Sequence, residues 1–271
     1  MTALRAATRG SRLARAQTDY VAGLLGVEVE PVVIDTQGDR QGDVPIWAMG
    51  GRGVFVKEVQ AAVLEGRADF AVHSAKDLPS STPPGLTIAA VPARADARDA
   101  LVGKRLDALS PGARVATGSV RRRAQLAWLR PDLTFAGLRG NIDTRLAKAA
   151  GFAAIVVAAA AMERLDRSYD VTEVLPTEVM VPQVGQGALA VECRVGDDEV
   201  QAALAPVEHR PSRVAVDAER AFLAHLGGGC DLPVGALATV DGAGEVHLEG
   251  LLASYDGRIV LRRSAAGPDA A

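Results

Sequence analysis

The chain has 271 residues, of which 48% are hydrophobic and 23% charged, a composition typical of a soluble globular protein with more than one compact domain. Its net charge of −3 argues against a nucleic-acid binder, which needs a basic surface. The two cysteines provide no disulfide framework, and no apolar run reaches membrane-spanning length. We therefore expect a cytoplasmic protein that neither binds nucleic acid nor enters a membrane.

The first third of the sequence alternates between strand and helix patterns. In chain order the patterns predict a strand at Leu4–Thr8, a helix around Leu13–Leu24, a strand at Val27–Ile34, a long loop at 35–53, a helix at Val54–Leu64 and a buried strand at Asp69–His73. This alternation is typical of an α/β domain.

The same alternation begins again after a polar segment at 92–98. It predicts a strand at Arg114–Ala116, a helix at Val120–Leu129, a strand at Leu133–Ala136, a helix at Ile142–Ala149 and a strand at Ala154–Val157. Two similar α/β domains on either side of a cleft are the simplest interpretation. Ligands of such sheets bind beyond the carboxyl ends of the strands.

The last 60 or so residues change character and predict a small α+β domain. A long helix at Arg213–Leu226 precedes three strands at Val234–Val240, Glu245–Ala253 and Arg258–Ser264. Three glycines, 227 to 229, lead from the helix directly into Cys230. Glycine permits close backbone approaches, so this thiol could reach into a cleft and carry a group, although a small buried hydrophobe is the alternative.

Arginines concentrate where strands end and helices begin. Only four of the 30 basic residues are lysines. Guanidinium binds carboxylate in a bidentate fork, so arginines at these turns predict a ligand with several carboxylates. A compositional bias of the genome, or a scatter of solvated arginines, is the alternative. The arginines in question are Arg9, Arg121, Arg122, Arg139, Arg145 and Arg164.

One acidic residue follows a predicted buried strand. Asp77, in the stretch His73 to Pro79, should lie where the chain opens into the cleft, and there it could stabilise a developing cation or transfer a proton. A helix cap or an ion pair with Lys76 is the alternative. The four histidines are dispersed and no paired-cysteine spacing occurs, so we expect no metal site.

Taken together, these motifs closely resemble the hydroxymethylbilane synthase, or porphobilinogen deaminase, family. The matching stretches follow one another in order through most of the chain. They are Ala7 to Ser11, Gly50 to Glu58, Ala71 to Pro79, Gly118 to Arg122, Leu138 to Asn141, Val184 to Ala188 and Gly228 to Cys230.

The resemblance implies a covalent dipyrromethane cofactor, attached to Cys230 through a thioether, on which porphobilinogen units are polymerised. It implies that Asp77 is the catalytic carboxylate. Residues implied to bind the cofactor are Lys76, Ser119, Arg121, Arg122 and Gly187, and residues implied to bind the substrate and growing pyrrole chain are Arg9, Ser11, Lys57, Arg139, Arg145 and Arg164.

The family fold consists of two domains like those of periplasmic solute-binding proteins and a third that bears the cysteine. It implies a discontinuous first domain at 1–93 and 186–206, a second at 98–183 and a third at 210–271, in a monomer. Arg52 stands where lysine is common, and the chain ends at Ala271, soon after the third strand of a domain that usually continues into a further helix. Apolar surface is therefore expected on this domain.

Two other interpretations remain open. The same two-domain cleft could belong to a solute-binding or sensor protein that binds a polycarboxylate without catalysis. Alternatively, the chain could be a folded but inactive family member with a shortened C-terminus.

Overall fold

Three β-sheets organise the residues that the computed structural model describes, which are 3–40, 53–227 and 232–269. Cys230, Arg52 and most of the predicted loop at 35–53 lie outside these ranges. Strands and helices are numbered below in chain order.

The first sheet has five strands and a mixed direction. Its strands are β1 (Leu4–Arg9), β2 (Val29–Ile34), β3 (Phe70–Ser74), β4 (Leu86–Ala90) and β10 (Leu189–Arg194). They lie in the order β2-β1-β3-β10-β4. The first three run parallel, whereas β10 is antiparallel to both of its neighbours. Phe70, Leu189 and Val191 are buried in the core of this sheet.

The second sheet repeats this arrangement. Its strands are β5 (Asp99–Gly103), β6 (Arg114–Ala116), β7 (Thr134–Ala136), β8 (Ala154–Ala158) and β9 (Glu173–Val174). The order is β7-β6-β8-β5-β9, with β7, β6 and β8 parallel and β5 antiparallel to both neighbours. The two sheets therefore have equivalent topologies, which confirms the prediction of two similar α/β domains.

Eight α-helices accompany the sheets in the described residues. They are α1 (Arg12–Leu25), α2 (Gln37–Arg40), α3 (Lys57–Leu64), α4 (Val120–Leu129), α5 (Ile142–Ala147), α6 (Ala159–Glu163), α7 (Asp198–Leu204) and α8 (Arg210–His225). The predicted loop at 35–53 thus begins with a short helix, and the helix predicted from Val54 begins only at Lys57, after a turn.

The third sheet confirms the predicted small α+β domain. Its antiparallel strands are β11 (Val234–Val240), β12 (Glu245–Ala253) and β13 (Val260–Pro268), in that order. Leu251 packs on Ala124 of the second domain. Gly250 faces α8, where a Cβ would lie 2.7 Å from the Phe222 ring. On this sheet Leu252 and Leu261 pair across β12 and β13 and are both exposed.

Two connections join the first sheet to the second. The segment 91–98 leads from β4 to β5, and the segment 175–188 leads from β9 back to β10. The return of β10 to the first sheet agrees with a discontinuous first domain, whose limits stay a prediction. Among the described residues, no helix has both the length and the apolar character needed to cross a bilayer.

Candidate active site

A cleft of about 670 Å³ opens where the strands of the two α/β sheets end. Its lining includes residues that follow β1 and β3 in the first sheet and β6, β7 and β8 in the second. These are the carboxyl ends of parallel strands, where ligands of α/β sheets bind. The predicted site residues in the lining are Arg9, Ser11, Lys76, Asp77, Ser119, Arg122, Arg139 and Arg145.

The N-termini of two long helices face this cleft. Ser11 caps α1 and accepts a hydrogen bond from the Ala14 N–H, and Ser119 caps α4 and accepts one from the Arg122 N–H. Both serines line the cleft. Because a helix N-terminus carries partial positive charge and free N–H groups, this geometry favours anionic ligands. Ser11 and Ser119 therefore have a structural role, helix capping, in addition to any contact with a ligand.

Cations outnumber carboxylates in the described lining. The cations are Arg9, Lys76, Arg122, Arg139 and Arg145, and the carboxylates are Asp39 and Asp77. Asp39 is already occupied, since it pairs with Arg9 and accepts a hydrogen bond of 2.7 Å from Thr36. Arg9 also stacks over the Phe55 ring at 4.3 Å. Of these two carboxylates, Asp77 is therefore the one that does not pair with Arg9.

Burial, with a smaller effect of neighbouring like charges, lowers the pKa values of two cations in the cleft. Burial, assisted by the charge of Arg122, lowers the pKa of Lys76 to about 8. Burial likewise lowers the pKa of Arg145 to about 10, with further contributions from Arg122 and Arg139. Each cation would be stabilised by a ligand carboxylate. The cleft therefore favours a ligand with several negative charges.

Asp99 neutralises two of the predicted arginines. Its Oδ2 lies 2.8 Å from Arg121 Nη1, and its Oδ1 accepts a hydrogen bond of 2.8 Å from Arg122 Nε. Asp99 and Arg121 are almost completely buried. Burial opposes ionisation of Asp99, but the two guanidinium charges outweigh it and lower its pKa to about 2. Arg121 is thus fixed in the protein interior and lies outside the main cleft lining.

A smaller crevice adjoins the cleft, and Leu232 forms part of its lining. Lys76 and Ser119 line both cavities, whereas Arg121 and Leu232 line only the crevice. Leu232 is two residues from Cys230 in the sequence. Nε and Nη2 of Arg121 are buried without a hydrogen-bond partner in the described part of the chain. These donors fit the carboxylates of a ligand bound in the crevice.

Three predicted site residues lie elsewhere. Lys57 is exposed at the start of α3 and does not line the cleft. Arg164 donates a hydrogen bond of 2.7 Å to the Gly187 carbonyl, and neither residue is in the cleft lining. Gly187 has φ +86°, and a Cβ there would lie 2.5 Å from the Ala95 carbonyl oxygen. Its conformation brings the two connections between the sheets together.

Of the two cysteines, the structure describes only Cys193. Cys193 is fully buried in β10, and burial raises the pKa of its thiol to about 11. Cys193 therefore has a structural role, because a protonated, buried thiol is a poor nucleophile. Cys230 lies outside the described residues.

Sequence reasoning missed two buried polar residues at the site. Asp99 holds the arginine pair, and Gln186 is fully buried between the sheets. The Gln186 amide donates to Asp99 Oδ1 at 3.0 Å and accepts from Lys76 Nζ at 3.4 Å. Gln186 could have been singled out because it stands between two glycines in a stretch that the family resemblance covers. Asp99 gave no comparable signal.

A possible metal-ligand group occurs on the third sheet, outside the cleft lining. Asp241, Glu245 and His247 bring their ligand atoms within 4.8 Å of one another on the exposed hairpin between β11 and β12. Exposed acidic groups at turns are common without a metal, and Asp241 is engaged by the backbone N–H groups of Ala243 and Glu245.

The chain was compared with protein families and with solved structures. The model described as "Porphobilinogen deaminase, dipyromethane cofactor binding domain" matches residues 4–202, and "Porphobilinogen deaminase, C-terminal domain" matches residues 214–271. A substrate-binding protein of an amino acid ABC transporter shares 15% identity at a TM-score of 0.38, covering 83% of this chain and 94% of that one. This likeness is too low to support an argument.

Relatives with much higher identity carry one name. Porphobilinogen deaminase of Roseiflexus castenholzii is 50% identical over 97% of this chain and 90% of its own length. The enzyme of the same name from Acidothermus cellulolyticus is 50% identical over 99% of this chain and 85% of its own length. With both family models and these relatives matching nearly its whole length, the chain belongs to the porphobilinogen deaminase family.

Proposed function

We propose that this chain is a hydroxymethylbilane synthase, which joins four porphobilinogen molecules on a dipyrromethane primer linked to Cys230 and releases the linear tetrapyrrole by hydrolysis. The observation that carries the proposal is Asp77 in a cleft whose other charged residues are mostly cations. Each pyrrole ring of this substrate carries an acetate and a propionate. The cations match these groups, and Asp77 matches the cationic carbon that forms during the reaction.

Each addition requires a positive charge to be stabilised for a short time. The C–N bond of the porphobilinogen aminomethyl group breaks and ammonia leaves, which makes the methylene carbon electrophilic. A C–C bond then forms to the free α-carbon of the terminal pyrrole, and that carbon loses its proton. The Asp77 carboxylate stabilises the cation. At about 4 Å and an effective dielectric near 20, one such contact contributes ~4 kcal/mol.

The remaining site residues bind ligand carboxylates on either side of Asp77. Lys76, Ser119, Arg121 and Arg122 surround the crevice and adjoining cleft, and we assign them to the cofactor. When bound, this group supplies the pyrrole carbon to which the first substrate is joined. Arg9, Ser11, Arg139 and Arg145 line the open part of the cleft and are assigned to the substrate and growing chain.

Lys57, Arg164 and Gly187 do not line the cleft, so we interpret them differently from the other predicted site residues. Arg164 and Gly187 are assigned a structural role in joining the connections between the sheets, because Arg164 donates to the Gly187 carbonyl. For Lys57, which is exposed, a contact with substrate requires the side chain to reorient. We further propose a cytoplasmic monomer with the three domain limits given above.

The intact mass of the denatured protein tests this function directly. Wild-type protein should exceed its sequence mass by two linked pyrrole units, and a Cys230→Ala variant should not. Added porphobilinogen should then extend the wild-type mass in steps of one pyrrole unit. A wild-type protein without excess mass, which also gains none with porphobilinogen, would contradict the proposal and favour a binding protein without catalysis or an inactive family member.

Carboxylate binding should weaken above pH 8 through Lys76. A bound carboxylate raises the pKa of this ammonium above its value of about 8. Its contribution to affinity is therefore complete below pH 8 and is lost as the pH rises, by at most about tenfold per pH unit. The Cys230→Ala variant should carry no cofactor, so porphobilinogen carboxylates can reach Lys76 there. Calorimetry of porphobilinogen binding to this variant at pH 7, 8 and 9 measures the effect.

The matched control for this pH dependence is Lys76→Arg in the same background. Arginine keeps its charge throughout this range, so the added variant should flatten the profile. An equal loss of affinity in both proteins would assign the pH dependence to another group.

A further inference from the structure

Glu219 is a carboxylate buried at the meeting point of all three sheets. It lies on α8 and has no exposed surface. Its Oε1 accepts hydrogen bonds from Arg94 Nη1 at 2.6 Å and from the Ala238 N–H at 2.8 Å. Its Oε2 accepts from the Gly185 N–H at 2.7 Å and from Arg94 Nη2 at 3.2 Å. One side chain therefore receives four hydrogen bonds from three separate segments.

The partners of Glu219 occupy both connections between the α/β sheets. Arg94 lies in the segment 91–98, and Gly185 lies in the return segment 175–188. Arg94 also ties these segments together, because its Nε donates to the Gln186 carbonyl at 2.9 Å. Its backbone N–H donates to Ser212 Oγ at 2.9 Å, at the start of α8. We call Glu219, Arg94, Gly185 and Ala238 the Glu219 clamp.

A buried ion pair of this kind contributes little net stability, because two charges must be removed from water. Burial indeed raises the pKa of Glu219, against the opposing effect of Arg94. Such a pair instead fixes a geometry, because the bidentate guanidinium and the two backbone N–H groups can reach the same carboxylate in only one arrangement. These four hydrogen bonds fix α8 relative to the two connections between the α/β sheets and to β11.

The clamp lies on the helix that leads to the cysteine. Glu219 is six residues from the end of α8 at His225 and eleven residues before Cys230 in the sequence. A helix is a stiff element with a rise of about 1.5 Å per residue, so a displacement at Glu219 is carried along it. Glu219 thereby links both connections between the α/β sheets to the end of α8, which precedes Cys230 in the sequence.

We propose that Glu219 is a positioning residue for pyrrole addition, which keeps the cysteine-bearing domain in register with Asp77 as the two α/β domains move. This inference rests on the proposed function. A misplacement of about 1 Å at a reacting centre can cost up to a hundredfold in rate. Loss of the clamp should therefore reduce the rate of addition, whereas carboxylate binding in the cleft should persist, because none of its four members lines the cleft.

Steady-state kinetics and intact mass of Glu219→Gln, measured on protein that carries the primer, test the proposal. We expect kcat to fall at least tenfold, KM for porphobilinogen to stay within about twofold, and partly elongated chains to accumulate. Arg94→Lys keeps the opposite charge but loses the fork and the bond to Gln186. It should show a smaller fall in kcat with KM again within about twofold, and a normal kcat in this variant would overturn the inference if Glu219→Gln does not fold.

Asp69→Asn is the matched control, since Asp69 is also a carboxylate paired with an arginine and accepts three hydrogen bonds from Arg5, near the start of β1 and β3. Its unfolding temperature should fall while kcat is retained. A folded Glu219→Gln variant with normal kcat and normal mass distribution would overturn the inference alone. A wild-type protein without primer or turnover would overturn the proposed function and this inference with it.

Discussion

Replacement of Asp77 by asparagine is expected to lower kcat about a thousandfold per primed molecule. Asparagine has nearly the same shape but no charge, so the cationic carbon loses its counter-charge. Among the described residues of the cleft lining, the other carboxylate is Asp39, which cannot substitute because Arg9 and Thr36 hold it. Removing one well-placed electrostatic partner costs about 10²–10³ in rate, and a thousandfold loss corresponds to ~4 kcal/mol. Single-turnover additions of porphobilinogen, normalised to primer content by intact mass, measure the effect.

Asp107→Asn is the control for this experiment. Asp107 is an exposed carboxylate of the second domain, with 75% of its side chain accessible, and its replacement should leave kcat within about twofold. Asp77→Glu, which keeps the charge on a longer side chain, should recover part of the lost rate. Full activity of Asp77→Asn would show that another group stabilises the cation.

The Asp99→Asn substitution is also expected to have a large effect, which is a loss of stability rather than of rate. The substitution leaves the buried guanidinium groups of Arg121 and Arg122 side by side without a counter-ion. Removal of one partner from a buried ionic group costs about 3–5 kcal/mol. At about 2–4 °C per kcal/mol for chains of roughly this size, the unfolding temperature should fall by roughly 10 °C. Differential scanning calorimetry measures this shift, with Asp107→Asn again as the near-neutral control.

Acid should reduce the difference between wild type and Asp99→Asn. The folded-state pKa of Asp99 is lowered to about 2, below the unfolded value of about 3.9. Its stabilising contribution is therefore present above pH ~4 and is lost as the pH falls toward 2. The gap in unfolding temperature should be widest near neutral pH and narrower at pH 3. A gap that does not change with pH would mean that the asparagine side chain destabilises this position through its shape rather than through its lack of charge.

The elements that the sequence predicted best are those with a complete apolar pattern and clear turn residues at both ends. Helix α4 and strands β11 and β12 have the predicted bounds. Strands β4, β5 and β9 were missed. Strand β9 has only two residues, too few for any periodicity, and β5 begins with Asp99, which resembles a surface residue until its partners are known.

The candidate site was predictable in its motifs but not in its internal partners. Asp77, Lys76 and Arg145 line the cleft as expected for turns at the ends of strands. Burial of Arg121, by contrast, depends on Asp99, which is 22 residues away in sequence but in direct contact. Sequence patterns report the local environment of a residue. They do not reveal which of several turn arginines is neutralised inside the protein.

Strand β10 also determines the order in which this chain can fold during synthesis. Every strand of the second sheet lies between residues 99 and 174, whereas the first sheet needs residues 189–194 to join β3 to β4. The domain that begins at the N-terminus is therefore the second to be completed. Until β10 emerges from the ribosome, the edge of β3 is open to wrong pairing, and a chaperone that acts on this nascent chain would be needed most during that interval.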